Sequence, residues 1–407
     1  MAANALSCEE SGLSTSAEAC ASGRAAVARA TFGLVTTRTE FDALEGPWND
    51  LFARAGRDVH MFQSFNWLWH WCNHFLPESG DECPALAIVT AFRDGRLVTV
   101  WPLVTERTGP ITQLGWMGEP VSQYGDVLVD DVADAEALLH AGWDFIQREV
   151  RCDVVRLRRV RQDSTVAPLL AALDAQSVSE AEAPYLSLSE TPDYDAIAAR
   201  QSGNTRRNRK RQRRRLAERG PLEHHWHEAG KEAEALVSLA FKYKVDWLKV
   251  RGLYSRAFSD ASTISFFSDV ARADSHPAGC YVYALSSDGH PAAVEIGLRC
   301  KGRTAIHIVT YDLAYEKSAA GALLLEDSVR RALDDGMTVF DFLPPGYDYK
   351  WEWSKAFVRV HDWALPLSAS GRLYTTVYLR GLRNMLKRGV EALPLSLRRK
   401  LTEALSG

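Results

Sequence analysis

TAIHIVTYDLAYEKSAAGALLLEDSVRRALDDGMTVFDF, Thr304 to Phe342, holds the pattern that decides the fold. Its opening, TAIHIVTYD, alternates and is rich in β-branched and aromatic residues, which predicts a strand. LAYEKSAAG breaks the alternation with small residues and a glycine. ALLLEDSVRRALDDG then repeats apolar residues at helical spacing and closes on Gly336. MTVFDF returns to an extended pattern, so the stretch is one strand–turn–helix–strand unit. Upstream, CYVYALS and AAVEIGLRC are joined through Asp288-Gly289, a hairpin signal. Two helical patterns precede them, Glu232 to about Val245 and Thr263–Ala271.

The first half has the same order. FDALEGPWNDLFARA places Phe41, Leu44, Trp48, Leu51 and Phe52 on one helical face, and FQSFNWLWHWCNHF repeats Trp67, Trp71 and Phe75 every fourth residue. ALAIVTAF and RLVTVWPLV are split by Arg93-Asp94-Gly95, a second hairpin signal. A helix over Asp134–Glu149 with Asp134 as N-cap and a strand, DVVRLRRV at 153–160, complete the half. This weak internal duplication predicts two related α/β domains, 31–190 and 191–367. A disordered tail, 1–30, is expected before them and a basic amphipathic extension, 368–407, after them.

Between the halves lies NTRRNRKRQRRR, Asn204 to Arg215, in which eight of twelve residues are basic and none acidic. The chain of 407 residues carries a formal charge of −4, and without these eight charges the balance would be 40 basic against 52 acidic. The positive charge is local, so a chain-wide affinity for polyanions is not implied. As a helix, 204–219, the run repels itself and needs an acidic neighbour or an anion. No aromatic residue interleaves it, which disfavours nucleic-acid binding through stacking. A hydrophobic fraction of 46% and a charged fraction of 25% are those of a globular protein. Seven widely spaced cysteines without CxxC spacing suggest neither a zinc site nor a disulfide framework, so a cytoplasmic chain is expected.

The order of elements in the second half is that of the GNAT acyltransferase core. The chain resembles the CelD-type, FemAB-related branch of that superfamily. The resemblance rests on FQSFNWLWHW at 62–71, WPL at 101–103, the basic run, YD at 311–312, the AAG turn at 319–321, FDF at 340–342 and YDYKWEW at 347–353. It implies an α/β (α+β) fold of two tandem GNAT-like domains, each a mixed, mostly antiparallel sheet flanked by helices. It implies transfer of an acyl group to an amine or hydroxyl, with acetyl-CoA or another acyl-CoA as co-substrate, or aminoacyl-tRNA in the FemAB pattern. The superfamily's pyrophosphate turn reads Gln/Arg-x-x-Gly-x-Gly/Ala. Here Ser318 stands three residues before Gly321 and Leu323 two after it, a departure that weakens the CoA assignment.

Acyl transfer from a thioester requires a neutral nucleophile, a proton acceptor and donors for the oxyanion. Lys317, Ser318 and Gly321, ahead of an apolar helix, suit a phosphate cradle, with an ordinary capped helix start as the alternative. Alternation puts His307, Val309 and Tyr311 on one strand face, so His307 and Tyr311 are candidates for base and acid. The alternative is a half-buried strand whose polar atoms find partners. Glu295, between Ala293 and Gly297, is costly to bury unpaired and is expected to face a cleft or a cation. Asp341 breaks an apolar strand at its carboxyl end, where it lines a crevice or caps a loop.

The resemblance supports Asp341 and Lys350 as site residues. Lys350 is expected to neutralise a phosphate or carboxylate, with Tyr349 and Trp351 as an acceptor wall and a solvated lysine packed on indole as the alternative. The stripe of Trp67, Trp71 and Phe75 reads as core by its spacing, with Trp67 as a candidate substrate contact. HHWH at 224–227 sends at most two histidines to one face as a strand, so no metal is expected. The expected acceptor is a small molecule, glycan or lipid of exopolysaccharide, cell-envelope or lipid metabolism. Nucleic acid enters only if tRNA is the donor, and segment 372–406 offers peripheral membrane contact as an alternative to packing on the body. A non-catalytic accessory role in polysaccharide biosynthesis stays open.

Overall fold

The computed structural model describes residues 30–77, 84–173, 175–275, 278–382 and 385. The expected tail and most of the C-terminal extension therefore lie outside the described residues. The first half opens with β1 (Thr31–Val35), α1 (Arg38–Asp42), α2 (Glu45–Ala55), a 3-10 segment (Asp58–Gln63) and α3 (Phe65–Phe75). Strands β2 (Ala85–Leu86), β3 (Ile88–Arg93), β4 (Arg96–Trp101), β5 (Leu103–Thr108), β6 (Ile111–Trp116) and β7 (Leu128–Val129) follow. It ends with α4 (Ala135–Glu149), β8 (Val154–Arg161), α5 (Ala167–Ala172) and β9 (Gln176–Ser187).

The second half begins with α6 (Tyr194–Arg200), α7 (Gly203–Ala217), β10 (Leu222–His227), α8 (Lys231–Val250), α9 (Arg256–Ser259) and α10 (Ala261–Arg272). Next come β11 (Ala278–Ser287), β12 (His290–Cys300), β13 (Arg303–Tyr311), a 3-10 turn (Leu313–Ser318) and α11 (Ala320–Asp334). Strand β14 (Val339–Asp341), α12 (Asp348–Trp351), β15 (Phe357–Pro366), α13 (Ala369–Leu373) and a π-helical segment (Tyr374–Leu382) complete it.

Both DG signals form two-residue hairpin loops, with Asp94 and Gly95 at φ 51° and 76° and Asp288 and Gly289 at φ 53° and 71°. The long amphipathic pattern expected over residues 41–55 is broken between α1 and α2. Asp134 is the N-cap residue of α4, but its side chain does not cap. Arg93 holds that carboxylate instead, with guanidinium nitrogens at 3.1 and 2.5 Å.

The halves repeat one device. In each, a parallel strand pair is connected by a 15-residue helix, β6–α4–β8 and β13–α11–β14. The expectation of two related α/β units is met in this repeat. Their boundary is not a linker, however, because the halves exchange strands. One sheet of eleven strands runs β10-β11-β12-β13-β14-β9-β15-β8-β6-β5-β2. Strand β9 leaves the first half to pair with β14, and β15 leaves the second to pair with β8. The two exchanged strands pair with each other along most of their length. A smaller sheet, β1-β3-β4-β7, covers the first half.

The core follows the exchange. Trp48, Phe62, Trp67 and Trp71 of the first half share one buried cluster with Val237, Phe266, Phe267 and Ile308 of the second. Burying large aromatics across that seam makes independent separation of the halves costly.

Candidate active site at the strand splay

Strands β13 and β14 pair only from Arg303–Val339 to Ala305–Asp341. Beyond Asp341 the chain leaves the sheet, opening a gap beside the rest of β13. His307 stands at that opening. A bulge pairs Ile296 with Ile308 but Gly297 with Ile306, so His307 is the extra residue on β13. The bulge breaks the alternation expected from sequence. His307 turns to the seam, against the rings of Phe267, Phe62 and Trp67 at 4.9, 6.3 and 6.4 Å between centroids. Tyr311 instead packs with Tyr315 and Leu323 under α11, where its hydroxyl accepts from Trp247 at 3.0 Å. The base-and-acid pair expected on one face is divided between two.

The roof over His307 comes from the first half. Val121 carbonyl lies 2.6 Å from Nε2, so Nε2 carries the proton and Nδ1 the lone pair. The Gln123 amide lies beside the same nitrogen at 3.4 Å. Nδ1 is buried and has no hydrogen-bond partner. Burial holds the imidazole down to about 4, with the Arg159 and Lys350 charges acting in the same direction against the Val121 bond. At neutral pH the group is an uncharged imidazole with an unspent acceptor.

Lys350, on α12, is 5% exposed. Its amine donates to the carbonyls of Leu343 at 2.7 Å and Pro345 at 2.9 Å. Burial lowers it to about 8, opposed by Asp341. Leu343 lies two residues past Asp341, and His307 two past its partner Ala305, so Lys350 ties down the far lip of the opening. Tyr349 is exposed beside it, Trp351 donates to Gly346 carbonyl, and Trp67 donates to Ser122 from inside the core.

Asp341 is fully buried and fully engaged. It accepts from Tyr124 hydroxyl at 3.0 Å, Leu343 amide at 2.8 Å and Arg303 at 2.9 Å, with Arg161 at 3.5 Å. Arg303 also pairs with Asp58, and Arg161 with Asp163. The chain of charges Asp58–Arg303–Asp341–Arg161–Asp163 crosses the seam and fixes where β14 ends. With both oxygens occupied, Asp341 positions the opening.

Glu295 does not face a cleft or a cation as expected. It lies beneath α11, where Tyr281 hydroxyl at 2.7 Å and Ser328 hydroxyl at 2.6 Å both donate to Oε1. Oε2 has no partner, and burial raises the carboxyl to about 7. Gly297 next to it is required, since a Cβ there would stand 2.3 Å from the Tyr281 ring.

The turn before α11 has the form of a phosphate cradle. Ala319 takes a left-handed conformation at φ 51°, and the amides of Ala320 and Gly321 have no backbone acceptor among the described bonds. Lys317 is exposed and Ser318 buried. A Cβ at Gly321 would press on Tyr311 at 3.0 Å, so the glycine keeps strand and helix close. His224 meets Asp327 at 2.9 Å, Trp226 stacks on Tyr281, and no metal-ligand cluster occurs among the described residues.

The basic helix α7 crosses α11 and divides its charge. Arg213 pairs with Asp327 at 2.6 Å and approaches Glu326 at 3.8 Å, while Arg209 donates to Ala322 carbonyl and lies over Trp353. Arg206, Arg207, Lys210, Arg211, Arg214 and Arg215 face outward. The acidic neighbour and the exposed surface thus each take part of the run.

Sequence reasoning missed Tyr124, Gln123, Arg159, Arg161 and Arg303. Arg158-Arg159 and Arg161 do interrupt an apolar strand, which is a signal of unusual burial, but nothing local names Ser122, Asp341 and Asp362 as their partners.

The model of the GNAT acetyltransferase domain family matches residues 203–351, from α7 to the end of α12. No curated protein matches the chain. Among solved structures, a conserved protein of unknown function from Bacteroides thetaiotaomicron is 12% identical, with 82% of this chain and 99% of that one covered at a TM-score of 0.50. L-PGS from Bacillus licheniformis is 11% identical, with 84% and 96% covered at 0.49. FemX is 12% identical, with 71% and 89% covered at 0.48. The chain carries a GNAT acetyltransferase domain over residues 203–351 and is an acyltransferase.

Proposed function

We propose that this protein transfers an acyl group from acyl-CoA to an amine or hydroxyl, with His307 as general base. The observation that carries the proposal is the buried, unpartnered Nδ1 of a neutral, half-buried imidazole at the strand splay. The donor's phosphates would meet the free amides of Ala320 and Gly321 and the Lys317 ammonium, with its thioester laid toward the opening. The acceptor nucleophile attacks the thioester carbon as its proton passes to His307 Nδ1. A carbon–nitrogen or carbon–oxygen bond forms, the carbon–sulfur bond breaks, and the thiolate leaves to be protonated. Lys350 stands at the lip with donor capacity for the developing oxyanion or for the acceptor. The CelD-type resemblance supports an acceptor from exopolysaccharide, cell-envelope or lipid metabolism.

The six outward cations of α7 favour a second reading, in which an aminoacyl-tRNA is the donor and those side chains contact phosphates. Isothermal titration with acetyl-CoA, longer acyl-CoAs and aminoacyl-tRNA separates the two. Acyl-CoA binding insensitive to moderate salt supports the first reading, and tRNA binding that collapses with salt replaces it. His307→Gln is expected to lower turnover by about 10²–10⁴-fold while donor affinity is kept. Full activity in that variant would remove His307 from the mechanism.

A further inference from the structure

Arg159 is conspicuous on grounds unrelated to acyl transfer. It lies inside β8 yet has a left-handed backbone, φ 56°, which a long side chain adopts only when its surroundings hold it there. Its amide donates to Asp362 at 2.9 Å, and its guanidinium donates to Ser122 carbonyl. The two nearby carboxylates are engaged by its neighbour, since Arg158 pairs with Glu119 and with Asp362 at 3.6 Å. No carboxylate reaches ion-pair distance of Arg159 or of Lys350 among the described residues. Ser122 adjoins Val121, whose carbonyl holds His307, so the first half delivers this cation to the same wall as the imidazole.

Three groups with unspent hydrogen-bonding capacity are therefore held on segments that border the seam. These are the His307 Nδ1 lone pair, the remaining N–H groups of Arg159, and the third N–H of Lys350. A charge held partly buried without a counter-ion is costly, and such a site is stabilised by a ligand that supplies one. The donor's phosphates are placed elsewhere, because the turn after Tyr311 lies four residues, about 13 Å of strand, beyond His307.

We infer that Arg159 and Lys350, one from each half, form an anion clamp that selects an acyl acceptor bearing an oxyanion, phosphate or carboxylate, close to its nucleophilic amine or hydroxyl. The inference rests on the acyl-transfer reading of the same site. A planar guanidinium grips either oxyanion in a fixed orientation, and the lysine supplies a point charge opposite it. With the anion fixed between the two cations, the nucleophile is carried to His307 Nδ1.

Two measurements on the full chain test this. Titration with inorganic phosphate and, separately, acetate is followed through tryptophan fluorescence, since Trp67 borders His307. Saturable binding is expected, weakened at least tenfold in Arg159→Gln and partly restored in Arg159→Lys. Release of CoA from acetyl-CoA is then compared for phosphoethanolamine, β-alanine and ethanolamine. The anionic amines are expected to exceed ethanolamine at least tenfold in kcat/KM, and Arg159→Gln to erase the difference through KM.

The phosphate and carboxylate arms show which oxyanion fits. Turnover with equal preference for the neutral amine overturns the clamp and leaves acyl transfer standing. A kcat loss shared by all three amines at constant KM also overturns it, because the arginine then serves the thioester oxyanion. Arg159-dependent phosphate binding without turnover of any amine supports the clamp and overturns the acyl-transfer reading. A melting curve for each variant excludes loss of fold as the cause.

Discussion

Replacing Glu295 by Gln should reveal two groups in the core and at the seam whose effects on stability oppose each other. The Glu295 carboxyl lies near 4.5 in the unfolded chain and is raised by burial to about 7 in the folded one. Between those values the folded state holds a proton that the unfolded state has lost, so stability falls as pH rises. The shift is worth about 3 kcal/mol, at roughly 1.4 kcal/mol per pH unit. His307 has the reverse sign. Its folded value is lowered by burial to about 4 from an ordinary 6.5, so over that window the unfolded state binds the extra proton and stability rises with pH. That contribution is also about 3 kcal/mol.

The windows overlap from 4.5 to 6.5, and the wild-type profile there should be nearly flat as far as these two groups are concerned. Glu295→Gln keeps an acceptor for Tyr281 and Ser328 but cannot titrate. Urea unfolding of both proteins at half-unit steps from pH 4.5 to 8 gives the difference in unfolding free energy directly. That difference should move in favour of the variant by about 3 kcal/mol between pH 4.5 and 7 and then level off. A constant offset reflects the cost of the new amide and does not matter. A difference that is flat across the whole range would show that the carboxyl is not held protonated, and the reasoning from burial would fail.

Two further substitutions separate support from chemistry. Asp341→Asn leaves Arg161 and Arg303 buried around a neutral amide, so an unfolding loss of about 3–5 kcal/mol is expected, read by urea titration. Unchanged stability would show that the charge chain does not hold the seam. Gly297→Ala drives a methyl into the Tyr281 ring and should cost about 1–3 kcal/mol by overpacking, measurable as a lowered Tm.

Much of the architecture was legible because it is local. The strand, turn and helix of 304–334, both DG hairpins and the helix of the basic run follow from contacts within a few residues, where periodicity and turn chemistry act. Strands β9 and β15 were not anticipated. QSVSEAEAPYLS and FVRVHDWALP mix charged and polar residues into weak alternation, and their strand character comes from neighbours in the other half.

The site divides along the same line. Sequence and resemblance drew attention to His307, Asp341, Lys350 and the turn at Lys317–Gly321, and placed a cation-rich helix at the junction. Only the tertiary structure decided what those residues can do. The bulge on β13 took His307 away from Tyr311 and under a roof supplied by residues 121–123. The fold also buried Glu295 beneath α11, committed Asp341 to two arginines and a tyrosine, and brought Arg159 to the seam without a carboxylate partner. The physical reason is that burial and charge pairing depend on groups far apart in the chain. A sequence specifies which side chains can ionise, and the packed seam sets which of them remain neutral, paired or open to a substrate.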